Sequence, residues 1–405
     1  MLIQFQSYIN TNQLFLSTDK ILLAVSGGKD SIAMLHLFVA AKFNIGVAHC
    51  NFQLRGKDAY EDELFVQQTC LQLNIPFYAI RFDTTNYAKR HKISTQMAAR
   101  ELRYRWFEEI RIENNYQFIA TAHHQNDVAE TMLINLAKGT GLSGLHGIKN
   151  KSNFIVRPLL CFCSDDIQQY IKTNNFPYRE DQSNASTKYI RNKIRHKTLP
   201  TLAEINPTII ETLNQTAVHF SAIENILIQK IEQEKKRCFS IQKEVIKIEI
   251  AKLKELTPIP TYLYYFLLPF HFNFNDCEQI SKALNTTSGK RFFSSTHQLI
   301  KDRDFLLITL IGSNKNEIFT IKTMNDFEKS PISIKTSITN NENIPFSSNK
   351  KLAYLDADKI IFPLFVRKWC EGDTFSPFGL KGKKKVSDFF VDQKFSILEK
   401  EACWL

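Results

Sequence analysis

Residues 21–31, Ile-Leu-Leu-Ala-Val-Ser-Gly-Gly-Lys-Asp-Ser, form an apolar run that stops abruptly at two glycines, a lysine, an aspartate and flanking hydroxyls. An aliphatic stretch of this length suits a strand buried on both faces. From Ser31 the apolar residues resume at helical spacing (Ile-Ala-Met-Leu-His-Leu-Phe), so the loop between opens a helix N-terminus. Main-chain N–H groups and the helix dipole there favour an anion, and Gly27 and Gly28 let backbone approach phosphate oxygens.

The wording of this loop restricts the chemistry. A Walker A loop needs a glycine five positions before Gly28 and a hydroxyl after the lysine, whereas Leu23 and Asp30 stand there. Ser26-Gly-Gly-Lys-Asp-Ser31 instead resembles the PP-loop of N-type ATP pyrophosphatases, which cleave ATP between the α and β phosphates and leave an adenylated substrate. The plain alternative is a tight strand-to-helix turn with incidental serines.

Downstream, strand-like runs at 20–25, 44–50, 75–82, 117–122 and 153–157 alternate with helical patterns at 31–42, 58–73, 97–114 and 126–138. This predicts an α/β fold with a parallel sheet covered by helices on both faces, and function concentrated just after the strands. After Pro200 the pattern turns helical, notably over 208–235, then mixed over 245–310. We expect three domains: 1–200 for ATP binding and catalysis, 201–312 mainly helical, and 313–405 a small α+β domain.

The 405 residues carry a net charge of +11, which points to a polyanionic partner, nucleic acid first among them. With 43% hydrophobic residues a sizeable core is assured, yet there is no uncharged apolar run long enough to span a membrane and no secretory signal at the start. Cytoplasmic residence follows as the default. The eight cysteines are scattered without a C-x-x-C pair, so reduced buried thiols are expected rather than a zinc or iron–sulfur site.

Several strand ends carry chemistry. His49 and Arg55 follow the second strand and could contact nucleotide; the plain reading is a strand-capping histidine and a solvated arginine. Arg100, Arg103 and Tyr104 fall within one helical turn, a donor cluster for phosphate or carboxylate. His123, Asp127 and Glu130 would share one helix face after the fourth strand. Asp127 with Asp30 would serve magnesium–phosphate chemistry better than zinc, for which a third strong ligand is missing. Gly139 to Gly147 match G-x-G-x-x-G but follow a helix, so the dinucleotide fingerprint is a decoy, leaving a flexible lid or nucleic-acid contact on one reading and a helix C-cap followed by loop on the other. Residues 188–197 contain five cations, among them Arg191, Lys193 and Arg195, and 381–385 contain Lys381, Lys383, Lys384 and Lys385. Both stretches suit a nucleic-acid backbone; solvated basic faces are the alternative.

Together these segments resemble the tRNA(Ile)-lysidine synthase family: the PP-loop, His49 to Arg55, Ala99-Arg-Glu-Leu-Arg-Tyr, Thr121-Ala-His-His-x-x-Asp-x-x-Glu-Thr, Gly139-x-Gly-Leu-x-Gly-Leu, Arg157-Pro-Leu-Leu, Glu180-Asp-x-Ser-Asn, Arg191-Asn-x-Ile-Arg, and Trp369 to Phe390. The resemblance is dense over 20–200 and thin beyond. It implies ATP-dependent adenylation of the wobble cytidine of a tRNA(Ile) with a CAU anticodon, then attack by the ε-amine of L-lysine to give lysidine, AMP and pyrophosphate. On that reading Ser26, Gly27, Gly28, Lys29, Asp30, Ser31 and His49 bind ATP. Asp30 and Asp127 hold Mg²⁺, and His123, Arg100 and Arg103 join them in catalysis. The family's C-terminal domain usually runs past the segment matching Ser387-Asp-Phe-Phe, so a short C-terminal domain is expected. The closest rival is a tRNA thiolation enzyme of the same superfamily, against which the missing cysteine pair counts. Lysine-binding residues stay open, as does the oligomeric state, a homodimer included.

Overall fold

The computed structural model describes residues 1–180, 190–242, 245–311, 318–332, 334–339, 352–377 and 382–405. The chain divides into two compact units, Met1–Leu227 and Ile228–Leu405.

In the first unit a six-stranded sheet has the order β3-β2-β1-β4-β6-β5. Its strands are β1 Lys20–Ala24, β2 Asn44–Asn51, β3 Phe77–Arg81, β4 Phe118–Ala120, β5 Lys151–Ser152 and β6 Ile155–Val156. All neighbours run parallel except the β5–β6 hairpin, which adds an antiparallel edge to the expected parallel sheet. The helices are α1 Leu2–Thr11, α2 Lys29–Ala40, α3 Lys57–Gln72, α4 Thr84–His91, α5 Thr95–Glu113, α6 Gln125–Lys138, α7 Leu142–Leu145, α8 Ser164–Thr173, α9 Ile190–Lys193, α10 Leu199–Ile205 and the first part of α11 Ile209–Cys238, whose residues from Ile228 on belong to the second unit. A single π-helical turn, Ile194–Thr198, joins α9 to α10.

Strand alternation explains why both faces are covered. Ile21, Leu23 and Val47 point to one core with Phe5, Phe38, Val66 and Ile167, from α1, α2, α3 and α8. Leu22, Ala48 and Ile119 point to the other, where Trp106 and Phe107 of α5 cover them. Each fully buried side chain of this size is worth about 1.5–3 kcal/mol, and β1 buries Ile21, Leu22 and Leu23 completely, so it is anchored from both faces. The strand order reverses between β1 and β4. Loops leaving their carboxyl ends therefore diverge and open a crevice, the usual ligand position in such sheets.

In the second unit, the region expected to be mainly helical also contains a five-stranded antiparallel sheet, with strands Phe239–Gln242, Val245–Glu249, His297–Asp302, Phe305–Leu310 and Arg291–Phe293. Its strands are short and pair over the insertion of helices Ile250–Lys254, Ile259–Leu267 and Phe274–Ala283, so the helical periodicity masked their period-two alternation. The C-terminal part is small: a pair Ile318–Ile321 with Leu364–Arg367, a pair Thr374–Phe375 with Lys384–Lys385, and helices Val386–Asp392 and Ile397–Ala402. Leu405 exchanges both main-chain hydrogen bonds with Arg367. Among the described residues no helix is long and apolar enough to cross a membrane.

Candidate active site

The PP-loop leaves β1 and enters α2 through a hydroxyl clasp. Ser31 Oγ donates to the Gly28 carbonyl at 2.9 Å and accepts from the Ser26 N–H at 3.2 Å, closing the turn on itself. Gly27 sits at φ +93°, which only glycine adopts without strain. Lys29 reaches across to Ser164 Oγ, 2.9 Å away at the start of α8. His49 is almost fully buried, with Nδ1 2.9 Å from the Val25 carbonyl just before the loop; it props the end of β1 from β2. Burial lowers its pKa, so it is a neutral support.

Across the switch point, the segment after β4 brings a second set of groups to the same place. His124 caps α6, with its N–H donating to Asp127 Oδ2 at 3.0 Å. Its Nε2 lies 3.7 Å from both Asp30 Oδ2 and Asp127 Oδ2, so the first carboxylate of the PP-loop and the first of α6 face one imidazole. Among the described residues Asp30 Oδ1 is buried without a hydrogen-bond partner. Burial raises the Asp30 pKa, while His124 and Lys29 oppose that rise. At Asp127 burial also favours the neutral acid, but His124, Arg191 and His123 outweigh it and hold the pKa below the usual range.

Glu130, fully buried one turn along α6, completes the cluster. Arg191 donates to Glu130 at 2.6 Å and to Asp127 at 2.7 Å; Arg195 donates to Glu130 at 2.5 Å. The two arginines fall on one side of the α9–π-helix segment because they are four residues apart, and that side lies on α6. His123 precedes the helix and turns its Nδ1 to Thr121 Oγ1 at 2.9 Å. Burial, reinforced by Arg157, Arg191 and Arg100 against the pull of Asp127, lowers its pKa to about 4. The result is a crevice with a nucleotide-type loop on one wall and a mixed acid–guanidinium cluster on the other, suited to transferring a charged group between two bound substrates.

Residues 2–202 match the PP-loop domain family, and residues 241–311 match the TilS substrate binding domain. A tRNA(Ile)-lysidine synthase of Parabacteroides distasonis is 42% identical over 98% of this chain and 90% of its own length. The chain belongs to the tRNA(Ile)-lysidine synthase family. Its counterpart in Bacteroides thetaiotaomicron is 40% identical over 98% of this chain and 90% of its own length, and that in Porphyromonas gingivalis W83 36% over 98% and 89%.

Within this lysidine synthase scaffold the expected site residues fall into three groups. Ser26, Gly27, Gly28, Lys29, Asp30, Ser31, His123 and Asp127 gather at the switch point. Arg100 and Arg103 lie on α5, stacked over Tyr104 at 4.8 Å and Phe52 at 5.1 Å. Arg100 is close enough to His123 to depress its pKa. The expected helical face of His123, Asp127 and Glu130 needs correction, since α6 begins at Gln125 and His124 is the histidine between the aspartates. Arg191 and Arg195, read as RNA contacts, instead have their guanidinium groups directed at Asp127 and Glu130, because an uncompensated buried carboxylate is far costlier than a buried pair. Lys193 is exposed on the opposite side.

Lys383 and Lys385 are exposed, and Lys384 pairs with Asp392; Lys381 lies outside the described residues, as does most of the Glu180-Asp-x-Ser-Asn motif. The glycine-rich stretch serves first as a cap: Gly139 ends α6 at φ +77°, and Gly147 passes so close to Val128 that a β-carbon there would lie 2.7 Å from Val128 Cγ1. Sequence reasoning assigned no role to His124, to Glu130 as an arginine anchor, or to Arg179. Only the adjacent-histidine doublet signalled the first of them.

Proposed function

We propose that this protein makes lysidine: it uses ATP to adenylate the C2 carbonyl oxygen of the wobble cytidine in a tRNA(Ile) with a CAU anticodon, and lysine then displaces AMP. The observation that carries this reading is the match of nearly the whole chain to lysidine synthases, joined to a switch point where the PP-loop and the acid–arginine cluster converge. The cytidine oxygen attacks the α-phosphorus and pyrophosphate leaves, held by the amides and hydroxyls of Ser26 to Ser31. The lysine ε-amine, in its neutral form, then attacks C2 and AMP departs. Arg100 and Arg103 contribute positive charge to this transfer, and neutral His123 offers a polar edge without adding charge. Arg191 and Arg195 act from the protein side, by holding Asp127 and Glu130.

Magnesium fits the site. Asp30 presents a buried carboxylate oxygen lacking a hydrogen-bond partner among the described residues, and hard oxygen donors joined by phosphate oxygens and water are what this ion takes. Asp30, with Asp127, would hold it, and when bound it neutralises charge on the polyphosphate.

The reading favours amine over sulfur transfer on chemical grounds. A persulfide carrier needs an accessible thiolate with a second cysteine nearby; burial pushes the Cys50, Cys70, Cys161 and Cys277 thiols up to about 12, and the exposed Cys370 has no cysteine at C-x-x-C spacing. Lys193, Lys383 and Lys385 are the proposed tRNA-backbone contacts, with Lys384 restrained by Asp392. The three-part division at 200 and 312 and cytoplasmic residence complete the proposal; sedimentation equilibrium decides between monomer and homodimer. The central test is nucleoside mass spectrometry of a CAU-anticodon tRNA(Ile) after incubation with ATP and lysine. Lysidine at the wobble position is expected; a thiolated or unchanged cytidine overturns the reading.

A further inference from the structure

Arg179 immediately precedes the Glu180-Asp-x-Ser-Asn motif, and its main-chain N–H donates to the Gly27 carbonyl at 3.0 Å. Its side chain is fixed at both ends of the guanidinium: Nε donates to Asp62 at 3.0 Å and Nη2 to Glu61 at 2.9 Å, both carboxylates belonging to α3. Asp62 is buried and also receives Arg55, from the loop that follows β2. α3 presses on the same glycine from the side, since a β-carbon at Gly27 would stand 3.4 Å from Val66 Cγ2 and 3.6 Å from Phe65 Cδ1.

The carbonyl that Arg179 captures belongs to the peptide linking Gly27 to Gly28. Two adjacent glycines allow that peptide to flip at little steric cost. A flip would break the long Gly28 N–H contact with Ser26 Oγ, 3.4 Å away within the loop, and aim the Gly27 carbonyl oxygen toward a bound phosphate, exchanging attraction for repulsion. A hydrogen bond to that oxygen from a backbone segment anchored by two carboxylates opposes the flip.

We propose that Arg179 is a positioning residue for ATP: clamped by Asp62 and Glu61, it holds the Gly27–Gly28 peptide in its phosphate-accepting orientation. It acts through the loop and does not touch the reacting atoms. The inference rests on the proposed ATP role of the loop, but it concerns one substrate only, and that makes it separable from the question of which base the enzyme modifies.

The test uses the full chain and three variants, Arg179→Ala, Arg179→Lys and Glu61→Gln, with steady-state kinetics for ATP, tRNA and lysine, thermal melts, and equilibrium binding of a non-hydrolysable ATP analogue without tRNA. Losing the clamp amounts to losing one charge-assisted anchor, so Arg179→Ala should raise both KM for ATP and the analogue Kd by about tenfold. KM for tRNA and lysine should stay within about twofold, since uniform ground-state binding of one substrate is what is lost. Arg179→Lys, which retains charge and one donor group, should recover part of the loss, and Glu61→Gln should shift the same two quantities by less. Unchanged ATP parameters in Arg179→Ala overturn the inference. So does a parallel loss for all three substrates with a lowered melting temperature, because that pattern belongs to a general structural role. Failure to form lysidine in the wild type, with the analogue result as expected, would refute the substrate assignment and leave the clamp standing.

Discussion

Replacing Glu130 by Gln tests the acid–arginine cluster most directly. The side chain is fully buried, and it accepts short hydrogen bonds from Arg191 and Arg195 at 2.6 and 2.5 Å. Bonds to charged groups contribute about 1.5–3 kcal/mol each, and the carboxamide keeps one acceptor oxygen while turning its NH₂ toward a guanidinium. Breaking a buried ion pair costs about 3–5 kcal/mol when the stranded charge stays dry. Here the arginine side chains are 41% and 35% exposed, so water reaches the freed charge and the cost falls below that range. We expect a net loss of about 2–3 kcal/mol in the first unit, which for a domain of this size lowers Tm by roughly 5–10 °C. Differential scanning calorimetry measures it, and the double variant with Arg195→Ala should lose less than the sum of the two single losses, because both remove one interaction. A Tm within about 1 °C of wild type, or strict additivity, refutes the argument by showing that solvent already screens the cluster.

Asp30→Ala should abolish tRNA-dependent AMP formation while leaving Tm unchanged or slightly raised, because it removes a buried oxygen that has no hydrogen-bond partner among the described residues; retained AMP release sinks the metal and catalytic assignments. His123, with its pKa lowered from 6.5 to about 4, binds a proton more weakly folded than unfolded. Its contribution is therefore fully present above pH 6.5 and is lost as pH falls toward 4, by at most about 3 kcal/mol; urea midpoints at pH 7 and 4.5 should differ less in His123→Gln than in wild type. For the C-terminal lysines, Lys383→Ala should weaken tRNA binding and reduce the salt slope by about 0.7–0.9, the effect of one phosphate contact. Lys384→Ala should change the slope less because Asp392 already engages that ammonium, and equal slopes for the two variants would contradict the pairing.

Much of the catalytic half was legible because its signals are local. The run into Ser26-Gly-Gly-Lys-Asp-Ser31 carries its own strand, turn and helix start, and alternation of the two periodicities from residue 20 to 160 imposes a parallel sheet. The antiparallel sheet of the second unit was less readable, since its short strands are divided by three helices and pair residues as far apart as Ile246 and Ile308. Cationic density around 188–197 read as an RNA surface for a similar reason: a linear pattern records charge but not direction, and the partners of Arg191 and Arg195 lie more than sixty positions away in sequence.

By itself, then, the sequence determined the phosphate loop, the fold class and the residue types available to the chemistry, because each depends on neighbours within a turn or a strand. Only the tertiary structure decided which histidine faces the two aspartates, that two arginines of the basic stretch turn inward, and that Arg179 grips Gly27. Those outcomes depend on burial: a carboxylate withdrawn from water selects its partner by geometry across the fold, and no local pattern encodes that selection.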